Sequence, residues 1–214
     1  MVQETISNPE APFVLCVVAS PQHGGAEDAS GRVKAAVRGG ADAVQARAKG
    51  ADGKIIHEFS SALSDAIGGD AFLLVNDRAD VAKSLPGAGL HIPAGGLSVA
   101  DGRKLLGPDR LIGASTHSIE EVEAYSEAGA DYVIFGPVYE TESKKQYGPP
   151  QGLDKLKEAV SAAKIPVIAI GGIVPEKVPA IKKAGAKGVA VMSFVMDAKD
   201  PEEAATALRY AWND

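Results

Sequence analysis

Gly39-Gly40-Ala41-Asp42-Ala43-Val44 is a phrase that the chain repeats, with changes, as Ala128-Gly129-Ala130-Asp131-Tyr132-Val133 and Ala184-Gly185-Ala186-Lys187-Gly188-Val189. Each copy follows an amphipathic stretch and opens an apolar one, so it reads as helix end, tight turn and next strand. A glycine just past a helix takes the left-handed cap conformation that other residues resist. The chain therefore uses one βα unit many times. Outward from these copies, apolar runs fall at 13–19, 42–47, 71–75, 88–92, 110–114, 131–135, 166–170 and 187–192. Most are nearly continuous, as strands buried on both faces are. Helix candidates lie between them at 26–38, 52–67, 77–84, 98–106, 118–128, 152–163, 175–184 and 200–211. Ser118 ahead of Glu120 and Glu121 has an N-cap pattern, and Pro175 and Pro201 stand where first-turn prolines belong.

Eight such pairs without a second core or a long linker predict an α/β fold: a single (β/α)8 TIM barrel over 13–214, after a polar lead-in over 1–12. A doubly wound open sheet is the alternative. The 214 residues fit a barrel near the lower end of its size range. The net charge of −6 argues against general nucleic-acid or membrane-surface binding, which needs a dominant basic face. A local basic pocket for a small phosphorylated molecule is compatible with it. Cys16 is the only cysteine, so the chain forms no internal disulfide and no cysteine-based metal site. It sits in an apolar run and reads as a buried small hydrophobe. The opening MVQETISNPE is polar and acidic, unlike a signal peptide, and no apolar stretch is long enough to span a bilayer. A cytoplasmic protein is expected.

In a barrel of this kind the active-site groups stand at the C-terminal ends of the strands and in the loops beyond them. After the second strand, Gln45, Arg47 and Lys49 share one face by their spacing, placing an amide and two cations together. Two cations suit a diphosphate, and an exposed strand end is the bland reading. After the third strand, Asn76 and Asp77 either cap the next helix or, in the case of Asp77, hold Mg2+ beside phosphate. The fifth strand leads into Ser115, Thr116 and His117. His117 shuttles a proton, positions substrate, or serves as a structural hydrogen-bonder. His91, inside the fourth strand, has the weaker claim, and His23 and His57 read as surface residues. The irregular loop 136–151 carries Thr141, Ser143 and Lys144, with Lys145 as the competing cation. Gly171-Gly172-Ile173 and Met192-Ser193-Phe194 end the seventh and eighth strands, the usual phosphate site of these barrels.

The order QARAK, VNDRADVA, GLHI, IGASTH, GADYVIFGPVYETESK, IPVIAIGGI and GVAVMS resembles the thiamin phosphate synthase/TenI family across roughly residues 13–195. The resemblance implies a TIM barrel acting in thiamin biosynthesis on a thiazole phosphate. It would make Gln45, Arg47, Lys49, Asn76 and Lys144 binders of a pyrimidine diphosphate and Asp77 a magnesium ligand. Ser115, Thr141 and Ser143 would line the pyrimidine or meet phosphate. Gly172 and Val191, Met192 and Ser193 would hold the thiazole phosphate. The family's Thr-x-Thr-Lys reads Thr141-Glu142-Ser143-Lys144 here, keeping a hydroxyl at the third place. One departure stands out: where synthases usually carry a second magnesium-binding Asp, this chain has Gly96. A similar Pro-x-Gly-x-x-Ser segment occurs in TenI-type proteins, some of them thiazole tautomerases with a His at the position of His117. The implied functions are therefore the synthase, the tautomerase, or a non-catalytic phosphate-ligand binder. A homodimer is implied by family analogy. Trp212 and Tyr210, near the C-terminus, either pack inward or form a subunit contact, with inward packing the expectation because a terminal helix must dock somewhere.

Overall fold

The computed structural model describes residues 10–22, 25–141 and 149–214. Strands and helices alternate as β1 (Leu15–Ala19), α1 (Gly25–Arg38), β2 (Ala43–Ala46), α2 (Gly53–Ile67), β3 (Phe72–Asn76), α3 (Ala79–Ser84) and β4 (Gly89–Ile92). They continue as α4 (Val99–Leu106), β5 (Ile112–Thr116), α5 (Ile119–Glu127), β6 (Tyr132–Phe135), α6 (Gly152–Ala162) and β7 (Val167–Ile170). The chain closes with α7 (Val178–Lys183), β8 (Gly188–Val191), α8 (Ser193–Met196) and α9 (Pro201–Asn213). All neighbouring strands are parallel, and β8 pairs back onto β1, so the sheet is a closed barrel rather than an open one.

Side chains alternate across each strand, and this sorts the apolar residues into two layers. Leu15, Val17 and Ala19 of β1 face the helices, as do Val133 and Phe135 of β6 and Val189 and Val191 of β8. Phe13, Cys16, Ala43, Leu74, Tyr132, Ile134, Ile168 and Ala190 fill the inside. Cys16 is fully buried, and burial pushes its thiol pKa up, so it is the inert small hydrophobe expected. A packed interior leaves little room, and one glycine makes it. Gly113 stands beside Tyr132 in register, and a Cβ there would sit 2.0 Å from the phenol carbon Cζ.

The recurring Gly-Ala-Asp phrase has a structural meaning at the closed end of the barrel. Asp42 Oδ1 accepts from Leu15 N at 2.7 Å while Asp42 N donates to Leu15 O at 3.1 Å. Asp131 repeats the exchange with Ile112, accepting at 2.7 Å and donating at 2.8 Å. Each aspartate also holds an arginine, Arg209 on Asp42 and Arg103 on Asp131. The third copy carries Lys187, which keeps only the backbone half, donating to Val167 O at 2.8 Å. The phrase thus pins the start of one strand to the start of the next, and it lies opposite the mouth.

Several boundaries differ from the sequence expectation. β5 lies at 112–116 instead of 110–114. Its pairing begins at the Asp131 exchange, and it continues through polar Thr116, whose hydroxyl donates to Ile134 O at 3.3 Å. Asn76 and Asp77 do not cap α3: the cap position is Arg78, and it makes no side-chain cap hydrogen bond. The short α8 fills a stretch read as loop, and Pro175–Lys177 is a 3-10 turn leading into α7. The expected caps are present at Ser118, whose hydroxyl accepts from Glu121 N, and at the left-handed Gly129 and Gly185. Trp212 is half-buried against the core as expected, but Tyr210 is 68% exposed and does not pack inward. Among the described residues, no helix is long and apolar enough to cross a membrane.

Candidate active site

The strands end together at one mouth, and the residues singled out by the sequence gather there with one group outside the described residues. Gln45 is buried on β2 and donates from Nε2 to Asn76 Oδ1 at the end of β3, 3.0 Å away. The pair locks two amides side by side and leaves Gln45 Oε1 and the Asn76 amide hydrogens for a ligand. Arg47 and Lys49 lie beyond the end of β2, which stops at Ala46, with Arg47 half-buried and Lys49 exposed in a turn, so the strand spacing expected to align them with Gln45 does not extend that far. Arg47 is anchored by its backbone N–H on Ala19 O at 2.9 Å.

Asp77 is exposed and, among the described residues, is the one non-glycine with a positive φ, 68°. Its N–H donates to His91 O at 2.9 Å, which ties the turn after β3 to β4. A left-handed aspartate costs backbone energy, and such strain concentrates at functional sites. The adjacent Arg78 is turned away from the mouth onto Asp80, with Nε to Oδ1 at 2.8 Å. No group of three or more His, Cys, Asp or Glu that could hold a metal ion occurs among the described residues. Gly96 closes a turn on Pro93 O, and a Cβ there would lie 2.9 Å from Pro93 Cδ and 3.0 Å from Pro93 O. The turn thus lacks a carboxylate and is shaped around its absence. Mg2+ takes one or two carboxylates together with phosphate oxygens and water. The residues present fit an ion shared between Asp77 and a diphosphate, not one caged by protein alone.

At the end of β5, Ser115 Oγ lies 2.8 Å from His91 Nε2, and His91 Nδ1 lies 3.2 Å from Tyr132 Oη. By sequence His91 has the weaker claim of the two histidines, and Tyr132 is not singled out. Both are buried inside the barrel. Burial, and then the positive charge of Arg47, push the His91 pKa down to about 3, so the ring is neutral. His117 is held differently. Its Nδ1 lies 2.6 Å from Gly136 O, and a carbonyl only accepts, so Nδ1 carries a proton and donates. Its N–H donates to Glu121 Oε2 at 2.6 Å and its carbonyl accepts from Gln151 Nε2 at 3.1 Å. These contacts tie the end of β5 to α5 and to the loop after β6.

Beyond β6, Val138 N donates to Ile170 O and Tyr139 N to Gly171 O, so this loop runs directly over the end of β7. The approach explains the two glycines. Gly172 has φ of 61°, and a Cβ on it would meet Glu140 O at 2.4 Å. Lys177, not foreseen from the sequence, fixes the same turn. Its Nζ donates to Gly172 O at 2.8 Å and sits 4.4 Å from the Tyr139 ring centroid. Thr141 is half-buried at the end of the described part of this loop, while Ser143 and Lys144 lie outside the described residues. Val191 turns its side chain to the helices, so only its backbone faces phosphate chemistry. Met192 O accepts from Val195 N and Met196 N, starting the turn whose first donors are Ser193 and Phe194. Ser193 is exposed there. A groove of about 550 Å³ between Pro175, Pro179, Ala207 and Tyr210 lies on the α7–α9 flank. It is almost wholly apolar and has no part in this cluster.

A family model described as thiamine monophosphate synthase matches residues 15–195. The chain belongs to the thiamine monophosphate synthase family. Within this family, a thiamine-phosphate synthase of Anaeromyxobacter dehalogenans is 40% identical over 188 residues, 88% of this chain and 85% of that protein. One from Chlorobium luteolum is 38% identical over 97% of this chain and 96% of its own. The solved thiamine phosphate pyrophosphorylase of Pyrococcus furiosus superposes with a TM-score of 0.82 at 32% identity, covering 94% of this chain and 96% of that one. Fold and family thus agree with the reading of the seven ordered motifs.

Proposed function

We propose that the protein is a thiamine-phosphate synthase, a transferase that joins hydroxymethylpyrimidine diphosphate to thiazole phosphate and releases diphosphate. The observation that carries the reading is the Gln45–Asn76 hydrogen bond at the ends of β2 and β3, with Arg47 and Lys49 on the segment after β2 and Asp77 on the turn after β3. A tautomerase has no use for a diphosphate site of this kind. The relatives named as synthases across most of their length support the same choice.

In this reading, the Gln45–Asn76 amides orient the diphosphate and Arg47 and Lys49 neutralise it, Arg47 by a forked contact to two oxygens. Lys144 adds a third cation from the loop. Asp77 would hold Mg2+, which when bound would supply further charge neutralisation of the leaving group. As the bond from the pyrimidine methylene to the diphosphate oxygen lengthens, negative charge grows on the oxygen and carbocation character on the carbon. Fixed cations lower the barrier because they are already oriented. The thiazole nitrogen then attacks the methylene carbon. Backbone at Gly172 and Val191–Ser193 receives the thiazole phosphate, while Ser115 and Thr141 face the pyrimidine and Ser143 meets phosphate. No protein nucleophile takes part, and His117 serves as a brace. The reaction belongs to the cytoplasm, and the family resemblance implies a homodimer, which light scattering of the purified protein reads. Purified protein with Mg2+ and both substrates should yield thiamin phosphate and diphosphate in equal amounts. Folded protein that binds both substrates and makes neither product would overturn the assignment.

A further inference from the structure

Inside the barrel, three polar side chains from β6, β4 and β5 form one file: Tyr132 Oη, His91 and Ser115 Oγ, with contacts of 3.2 Å and 2.8 Å. Its hydrogens can be assigned by exclusion. Tyr132 is fully buried, burial holds its phenol pKa well above the ordinary value, and the O–H therefore keeps its proton. Among the described residues, the one side-chain partner of that hydroxyl is His91 Nδ1. If Nδ1 carried a proton, in either the neutral or the cationic ring, it would donate to the phenol oxygen. The phenol hydrogen would then be buried without an acceptor, which costs the full desolvation of a donor. The favoured arrangement has Tyr132 O–H donating to a bare Nδ1. Nε2 then carries the ring proton and donates to Ser115 Oγ, and among the described residues no other side chain meets that hydroxyl, which leaves its hydrogen for the mouth.

The geometry around Tyr132 is tightly held. Its ring meets Phe13 edge-on with centroids 4.9 Å apart and lies 5.9 Å from the His91 ring. Gly113 supplies the space beside it, so the phenol cannot swing to another partner. We infer that Tyr132 and His91 are positioning residues which fix Ser115 as a hydrogen-bond donor toward the pyrimidine-bearing substrate. A pyrimidine ring nitrogen is an acceptor only, so a fixed donor favours it over a ring that presents N–H at that place. The inference rests on the reading above that Ser115 meets this substrate.

Two measurements on the full chain test it. The first is the 15N spectrum of imidazole-labelled protein, with the His91 signal assigned by its absence in His91→Gln. A neutral ring protonated at Nε2 is expected, and protonation at Nδ1 would overturn the inference. The second compares the affinities of Tyr132→Phe and Ser115→Ala for pyrimidine diphosphate and for thiazole phosphate. Tyr132→Phe should weaken pyrimidine diphosphate about fivefold, the loss of one neutral hydrogen bond, and leave thiazole phosphate unchanged. His91→Gln, which retains an amide donor and an oxygen acceptor, should keep more of that affinity than His91→Leu. Equal loss of both ligands in Tyr132→Phe would mean a merely structural role and overturn the positioning role. Unchanged pyrimidine affinity in Ser115→Ala would overturn it through the contact itself, and would separate that failure from a failure of the hydrogen-bond file.

Discussion

His91 should make the protein lose stability in mild acid, and the size of the loss follows from its burial. In the fold its pKa is depressed to about 3, against about 6.5 for the ordinary side chain. A base whose folded pKa is lowered is protonated first in the unfolded chain. Its contribution is therefore intact above the unfolded value and is lost as pH falls toward the folded one. Between those values the slope approaches about 1.4 kcal/mol per pH unit. From pH 7 to pH 4.5 the loss comes to roughly 2.5 kcal/mol. The perturbation is His91→Gln, which does not titrate. Urea unfolding of both proteins at pH 7 and pH 4.5 gives four free energies, and the difference of differences cancels the carboxylates common to both. Wild type should lose on the order of 2–3 kcal/mol more than the variant over this range. Equal losses, to within about 0.5 kcal/mol, would refute the idea that His91 is held neutral by burial beside Arg47.

Other consequences concern the two ends of the barrel. Asp42→Ala strips Leu15 N and Val14 N of their acceptor and frees Arg209, and should lower urea-measured stability by about 2–4 kcal/mol. Lys187→Ala, at the copy with no side-chain exchange, should change stability by no more than about 0.5 kcal/mol. Gly172→Ala drives a Cβ toward Glu140 O at 2.4 Å and should weaken thiazole phosphate about tenfold or more by calorimetry while the circular dichroism is preserved. Lys144→Ala should lower kcat/KM by about 100-fold through loss of a cation on the leaving group, with Lys145→Ala near wild type. Unchanged turnover in Lys144→Ala would remove it from the site.

The barrel was legible because its strands are buried on both faces and its helix ends carry glycines that repeat in phase. The Gly-Ala-Asp phrase announced the repeating unit, although its chemistry, an aspartate exchanging hydrogen bonds with the start of the preceding strand, emerges only when Asp42 meets Leu15 and Asp131 meets Ile112. The meeting of Gln45 and Asn76 was legible for a local reason, since each stands at the end of an apolar run, whereas Arg47 and Lys49 fall past the end of β2, where strand spacing no longer applies. β5 was misplaced by two residues because its end is polar, and apolar run length is blind to a strand finishing in Ser115 and Thr116. Asn76-Asp77 looked like a cap, yet Asp77 takes a left-handed turn that sequence does not encode in aspartate. The Tyr132–His91–Ser115 file was hidden, since it joins three strands whose register, His91 to Gly113 and Gly113 to Tyr132, is fixed only on closure. Lys177 was hidden likewise, because its partner is a backbone carbonyl.

A single mouth should hold both substrates, with the diphosphate at the ends of β2 and β3 and the thiazole phosphate across from it. The direct measurement is a crystal structure of the protein with thiamin phosphate, diphosphate and Mg2+. Diphosphate should lie on Arg47, Lys49 and Asn76, with Mg2+ held by Asp77. The product's phosphate should lie against Gly172 and Ser193, and the Ser115 hydroxyl on the pyrimidine ring. Diphosphate bound away from Arg47 and Asn76, or a metal that ignores Asp77, would contradict this placement.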